Sequence, residues 1–242
     1  MVMRLDKLRE GKAKILYATD DPQLLIQYFK DDATAFNAQK RGTILNKGVI
    51  NNHISTILFQ FLTREGIPNH FVDRLSDREM LVKRCDIIPL EVVQRNLLAG
   101  SLAKRMGREE GAVLPFPVLE YYYKNDALGD PMINADHAVA FGLASREDLT
   151  AIETITRRVN DFLRAYFDQM GICLVDFKLE FGWHKGSGGP TLLLADEITP
   201  DGCRLWDKST REKLDKDRFR RDLGRVEEAY QRVYRLVCAS VS

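Results

Sequence analysis

The stretch Leu174-Val175-Asp176-Phe177-Lys178-Leu179-Glu180-Phe181-Gly182 alternates charged and apolar residues with a period of two, a pattern that a β-strand sorts onto two faces. Asp176, Lys178 and Glu180 share one face; Phe177, Leu179 and Phe181 share the other and face the core. Side chains two apart on a strand stand roughly 6.5 Å from each other, close enough for two carboxylates and an ammonium to serve one polyanionic ligand and its metal. The same pattern also describes the wet side of an amphipathic antiparallel strand, and spacing alone does not choose between the two.

A second apolar strand, residues 191–198, follows a turn containing Gly186, Ser187, Gly188, Gly189 and Pro190, so the two strands are predicted to form a hairpin with a long loop over 183–190. It ends in Asp196-Glu197. If Asp196 came within about 4 Å of Glu180, repulsion would cost roughly 4 kcal/mol at an effective dielectric of 20, so the pair calls for a cation. Magnesium is the natural candidate, because it shares oxygen ligands between carboxylates and substrate phosphates.

The 242 residues are 45% hydrophobic, enough for one large or two small domains with a core. Thirty-six Lys plus Arg against 35 Asp plus Glu leave a formal charge of +1, which gives no reason to expect a nucleic-acid or membrane-surface partner. Cys85, Cys173, Cys203 and Cys238 form no CxxC pair, and the four histidines make no ligand-spaced cluster with them; a reduced cytoplasmic protein without structural zinc is expected. Met1-Val2-Met3-Arg4-Leu5-Asp6-Lys7 lacks the apolar core of a signal peptide, and no apolar run approaches the ~20 residues that span a bilayer.

Residues 15–19 and 24–29 read as strands around an Asp20-Asp21-Pro22 turn. Val49, Ile50, Ile54, Ile57, Leu58, Phe61 and Leu62 recur at helical spacing until Gly66-Ile67-Pro68 stops them. Residues 71–75 and 80–85 read as further strands, and Pro89 marks a boundary. Residues 90–96 are strand-like and lead through Ala99-Gly100-Ser101 into a short helix, whose start is either an anion site or an ordinary cap. The longest helix opens at Ser145 with Asp148 three residues on, and Gly171 ends it. Residues 218–237 read as one solvated amphipathic helix carrying Phe219, Leu223, Val226, Tyr230, Val233 and Val237. The predicted architecture is α+β: a small amino-terminal antiparallel-sheet domain over 1–86 and a larger mixed domain over 87–242, with a cleft between them that favours ligands.

Gly11-Lys12-Ala13-Lys14 is neither GxxxxGK[ST] nor GxGxxG, and alone it also describes a solubilising strand edge. Opposite a carboxylate-bearing hairpin, such a turn lets backbone approach a triphosphate while the ammonium groups neutralise it. Ile87-Ile88-Pro89-Leu90-Glu91-Val92-Val93-Gln94-Arg95-Asn96-Leu97-Leu98-Ala99-Gly100-Ser101 and the 174–182 stretch resemble, in order, the two signature segments of the SAICAR synthetases, the phosphoribosylaminoimidazole-succinocarboxamide synthases. The resemblance continues through residues 11–14, Lys124-Asn125-Asp126, Asp130-Pro131 and residues 200–209, nearly the full length.

That resemblance implies ligation of L-aspartate to the carboxylate of carboxyaminoimidazole ribonucleotide (CAIR), with ATP hydrolysed to ADP and phosphate. It implies a two-domain α+β fold distantly similar to ATP-grasp enzymes and protein kinases, ATP in the interdomain cleft, and a homodimer. It assigns Gly11, Lys12, Ala13 and Lys14 to the ATP phosphates, and Leu16, Leu25, Val82, Ile87 and Leu179 to adenine, with the backbone near Lys83 to Ile87 as the hydrogen-bonding hinge. Glu180 and Asp196 match magnesium-binding carboxylates. Arg95, Ser101 and Arg204 match the CAIR-binding group, where a phosphate gives arginine a bidentate role. Lys178, Asp176, Lys124 and Asp130 are expected to orient the reacting carboxylate, phosphate and aspartate. A hydroxyl phosphotransferase would use similar lysines and carboxylates, but the chain has no His-Arg-Asp catalytic loop. A noncatalytic nucleic-acid-binding module would rely on the Arg-rich carboxy-terminal segment, whose interleaved acids oppose it. An inactive scaffold would not be expected to keep every assigned polar residue.

Overall fold

A computed structural model describes residues 2–35 and 39–241; Met1, Phe36, Asn37, Ala38 and Ser242 lie outside the described residues, including the outer ends of the expected 1–86 and 87–242 division. The first sheet comprises β1 (Arg4–Glu10), β2 (Lys14–Thr19) and β3 (Leu24–Phe29), with β6 (Phe71–Arg74) and β7 (Glu79–Lys83) returning to complete the antiparallel order β1-β2-β3-β7-β6. Between these segments, β4 (Asp32–Ala35) and β5 (Lys40–Thr43) pair as a separate ribbon, and α1 (Lys47–Arg64) packs on the sheet. Ile50, Ile54, Leu58 and Leu62 repeat every fourth residue and form the buried stripe of α1; Gly66, at φ 67°, lies just beyond its end.

The second sheet is built around one long strand. Its elements are β8 (Asp86–Ile87), β9 (Leu90–Leu97), α2 (Gly100–Met106), β10 (Val113–Tyr123), β11 (Met132–Ile133), α3 (Ala135–Ala140), α4 (Arg146–Gln169), β12 (Ile172–Gly186), β13 (Gly189–Ala195), β14 (Cys203–Asp207), α5 (Asp217–Arg220) and α6 (Val226–Ala239). The path β11-β10-β9-β12-β13 is antiparallel, and β12 exchanges neighbours along its length. Asp176 pairs at once with Arg95 of β9 and Arg204 of β14, whereas Gly182 pairs with Leu193 of β13 and Ile87 of β8.

Phe177, Leu179 and Phe181 are each 1% exposed and join a cluster that includes Leu25 and Phe29 from the first sheet and Val233 and Val237 from α6. α4 packs against β12 and β9 and buries Leu149, Ile152, Ile155, Val159, Leu163 and Phe167; it opens with the expected reciprocal Ser145–Asp148 capping box. Among the described residues, no helix is long and apolar enough to cross a membrane.

Several expectations require correction. The carboxy-terminal helix is two helices: α5 and α6 are separated where Asp222, Gly224 and Arg225 take φ 53°, 68° and 52°. The apolar period runs through this break because Phe219 lies beneath Lys40 of β5 while α6 packs on α1, so different partners bury successive segments. The 183–190 segment is mostly paired strand: Trp183, His184, Lys185 and Gly186 face Leu192, Thr191, Pro190 and Gly189, leaving a two-residue turn at Ser187-Gly188. β1, β10 and α3 have no counterpart in the periodicity; β1 is exposed throughout, and β10 contains Pro115 and Pro117.

Candidate active site

The register just described places two arginines beside one carboxylate. Arg95 donates from Nε to Glu120 and from Nη1 to Asp176, both at 2.7 Å, and from Nη2 to Ser101 Oγ at 2.9 Å and the Tyr122 hydroxyl at 3.2 Å. Arg204 donates from Nη1 to Asp176 at 2.9 Å and from Nε to Asp217 at 3.0 Å. Burial opposes the charge on Arg95 and on Arg204, but Asp176 with Glu120, and Asp176 with Asp217, more than offset it and raise both guanidinium pKa values. A pocket of about 640 Å³ opens beside this group, lined by Ser101, Lys104, Arg108, Arg204 and Arg220 among others.

Two residues further along the same strand face, the chemistry changes to lysines and carboxylates. Lys178 Nζ lies 2.7 Å from Glu180, 2.9 Å from Glu91 and 3.7 Å from Asp196. Lys124 pairs with Glu180, and Lys14 pairs with Asp196 and, at 3.1 Å, with Glu197. Burial works against the charged form of Lys178; Glu180, Asp196 and Glu91 outweigh it and hold its ammonium well above the ordinary lysine range. For Asp196, burial is outweighed by Lys14, Lys178 and Lys124; for Glu180, burial and the Asp196 charge are outweighed by Lys178 and Lys124, so both carboxyl groups are depressed.

The first sheet supplies the other wall. Gly11-Lys12-Ala13 is a turn closed by Gly11 N–H donating to the Lys14 carbonyl at 2.8 Å, and Lys12 pairs with Asp126 at 2.7 Å. Leu25, Val82 and Leu179 are buried in the main apolar cluster with Leu16 packed against it, while Ile87 is 42% exposed on β8. Lys83 donates its backbone N–H to the His70 carbonyl at 2.7 Å. Asp130 stands apart from the lysine cluster: its carboxylate accepts from Asn125 N–H at 2.8 Å and secures the turn following Lys124. Asp176 sits with the arginines rather than with Lys178.

Sequence reading did not single out Glu91, Glu120, Tyr122 or Asp217, which hold the assigned cations. Glu91 lies inside the first signature segment, and Glu120 and Tyr122 alternate on β10; Glu120 stands two residues from Val118, which faces Arg95, so a carboxylate diagonal to an arginine across the ladder was the available signal.

A sequence profile of the family SAICAR synthetase matches residues 7–237. The chain belongs to the SAICAR synthetase family. A phosphoribosylaminoimidazole-succinocarboxamide synthase of Novosphingobium aromaticivorans is 61% identical over 232 residues, covering 96% of this chain and 89% of that protein. The crystal structure of the synthase from Ehrlichia chaffeensis superposes with a TM-score of 0.94 at 47% identity, covering 97% of this chain and 99% of that one. A SAICAR synthetase solved in complex with ADP has a TM-score of 0.90 at 48% identity, with 95% and 96% covered. SAICAR synthetases are ATP-dependent carboxylate–amine ligases of purine biosynthesis, and this chain has their α+β fold.

The donor set fits the magnesium ion that a SAICAR synthetase is expected to use. Glu180 and Asp196 are ionised hard-oxygen donors, and magnesium characteristically takes one or two carboxylates and completes its shell with phosphate oxygens and water. Among the described residues, no group of three or more His, Cys, Asp or Glu side chains comes together to hold a metal.

Two consequences of the geometry are measurable. A Cβ at Gly100 would lie 2.5 Å from Arg204 Nη2, and Gly100 has φ 54°, so Gly100→Ala both strains the backbone and displaces the guanidinium. If Arg204 binds CAIR, as the family resemblance implies, the variant is expected to raise KM for CAIR about tenfold with kcat unchanged, the signature of lost uniform binding; an unchanged KM would remove Arg204 from substrate binding.

His70, 4% exposed, is pushed down to about 4 by burial, with Lys14 and Lys83 adding and Asp196 opposing. The unfolded chain binds this proton near 6.5, so the group's contribution is complete above pH 6.5 and is lost as pH falls towards 4, by about 3 kcal/mol. Urea denaturation at pH 7 and pH 4.5 is expected to show a smaller acid loss for His70→Gln than for the parent. Equal losses would place the acid sensitivity elsewhere.

Proposed function

We propose that the face of β12 binds both phosphorylated substrates, CAIR at its arginine end and magnesium-ATP at its lysine–carboxylate end. The observation that carries this reading is the sequence Asp176, Lys178, Glu180 along one strand face, with Arg95 and Arg204 gathered on the first residue and Lys14 and Lys124 on the carboxylates beyond it. Arg95, Ser101 and Arg204 bind the CAIR phosphate through charge-assisted hydrogen bonds. Residues 11–14 cover the ATP phosphates. Leu16, Leu25, Val82, Ile87 and Leu179 enclose adenine beside the Lys83 hinge, and Glu180 and Asp196 hold magnesium, which neutralises phosphate oxygens when bound. The relative solved in complex with ADP supports nucleotide use.

In the reaction, the CAIR carboxylate attacks the γ-phosphorus of ATP, the bond to the bridging oxygen breaks, and ADP leaves an acyl phosphate behind. The neutral amine of L-aspartate adds to the acyl carbon. The tetrahedral oxyanion then expels phosphate and, with loss of the amine proton, gives the amide SAICAR. Lys178 remains a fixed cation through both steps and donates to the charge that develops, a role that depends on placement rather than proton exchange. Lys124 shields Glu180, Asp176 fixes the two arginines, and Asp130 orders the turn carrying Lys124. On this reading the substrates lie in the cleft between residues 1–86 and 87–242, and the enzyme is a cytoplasmic homodimer.

The test is phosphate release from ATP and magnesium with CAIR, with and without L-aspartate, followed by mass spectrometry of the product. Succinocarboxamide formation that requires all three substrates supports the reading. ADP without amide product, even with L-aspartate supplied, would point to another acceptor, and no turnover by folded, ATP-binding protein would favour an inactive scaffold.

A further inference from the structure

Asp196 adopts a backbone conformation that its own hairpin does not enforce. It stands one residue past the end of β13 with φ 67°, a left-handed value that costs a non-glycine residue on the order of 1 kcal/mol and persists where surroundings over-determine it. Those surroundings come largely from the first sheet. Gln27 of β3 donates from Nε2 to the Asp196 carbonyl oxygen at 3.3 Å, across a separation of 169 residues. Lys14 of β2 holds the Asp196 carboxylate. Immediately upstream, Leu194 N–H donates to the Pro68 carbonyl at 3.0 Å and His70 N–H donates to the Leu194 carbonyl at 2.9 Å, so the segment leading into β6 brackets β13.

Gln27 is the feature that the site as described does not use. It is 4% exposed on a strand whose other members are Leu24, Leu25, Ile26, Tyr28 and Phe29. Burying an amide there is costly without a hydrogen-bond partner, and a leucine would fill similar space at no such cost. The partner it reaches is the one carbonyl that belongs to the strained residue.

We propose that Gln27 is a positioning residue, whose amide holds the left-handed backbone of Asp196 and thereby aims its carboxylate at the metal and phosphates. This rests on the reading of Asp196 as a magnesium ligand. It also gives the first sheet a second hold on the metal site: Lys14 meets the Asp196 carboxylate, and Gln27 meets its backbone. Partners of this outer kind typically change metal affinity or activity by 10- to 100-fold.

The test compares the full chain with Gln27→Leu, Gln27→Glu and Asp196→Asn, measuring manganese binding in the presence of ADP by electron paramagnetic resonance, steady-state kinetics with CAIR, and circular dichroism for folding. Gln27→Leu fills the space without a donor; Gln27→Glu keeps the shape but places an acceptor against the carbonyl. Both are expected to fold, to weaken manganese binding about tenfold, and to lower kcat while KM for CAIR stays within about twofold. Asp196→Asn is expected to weaken manganese more. If Asp196→Asn loses the metal while a folded Gln27 variant binds it as the parent does, the role of Gln27 is overturned and the metal assignment stands. If Asp196→Asn also binds manganese normally, the metal assignment fails and the inference with it.

Discussion

Lys178→Ala is expected to lower turnover by about 10²- to 10³-fold, the usual consequence of removing one preorganised donor from a developing charge. The fold should lose far less, because Glu180 retains Lys124 and Asp196 retains Lys14 when Lys178 is gone. A fall in Tm of about 4–8 °C corresponds to about 1 kcal/mol in a small domain, and the chain's 242 residues make the shift per kcal/mol smaller still. Turnover and Tm measured on the same preparation decide the matter. A loss of activity matched by an equal loss of folded protein would make Lys178 a structural cation. Because Glu180, Asp196 and Glu91 hold its pKa well above the lysine range, the variant should not remove a titration from the pH–rate profile near neutrality.

Arg95→Met is expected to destabilise the chain by about 3 kcal/mol and to raise KM for CAIR. The Arg95 side chain is 3% exposed, and its partners Glu120 and Asp176 are 2% and 4% exposed, so truncation leaves two buried carboxylates short of a cation. Breaking such a pair typically costs about 3–5 kcal/mol; Arg105 still pairs with Glu120 and Arg204 with Asp176, which places the loss at the lower end. Against a total stability of about 5–15 kcal/mol, this is a large fraction. Arg95→Lys is not expected to restore the parent, since one ammonium does not reproduce a planar fork reaching Glu120, Asp176, Ser101 and Tyr122. Urea denaturation and CAIR saturation curves measure the two effects, and an unchanged urea midpoint would show that the buried network contributes nothing to stability.

Local patterns carried much of the architecture. The period of two over 174–182, the fourfold repeat of α1 and the Ser145–Asp148 cap each depend on residues within a few positions of one another, and each has its counterpart in β12, α1 and α4. The resemblance assigned site residues by type, within the two signature segments and beyond them. Their grouping was not legible: Asp176 joins Arg95, 81 positions away, rather than Lys178, and Asp130 orders a turn instead of entering the lysine cluster. The break between α5 and α6 escaped detection because an apolar period does not record which partner buries each turn. Glycine and proline composition masked the paired strands over 183–186, whose hydrogen bonds are made across the hairpin.

The sequence by itself determined that one strand would sort three charges from three apolar side chains, since that follows from the alternation of Cβ directions along any strand. Only the tertiary structure decided that the charged face would be enclosed. Asp176 and Glu180 are 3% and 4% exposed because β9, β14 and the first sheet bring Arg95, Arg204, Lys14 and Lys124 to that region from separations that no local rule specifies. Buried carboxylates persist there because those cations offset the cost of leaving water.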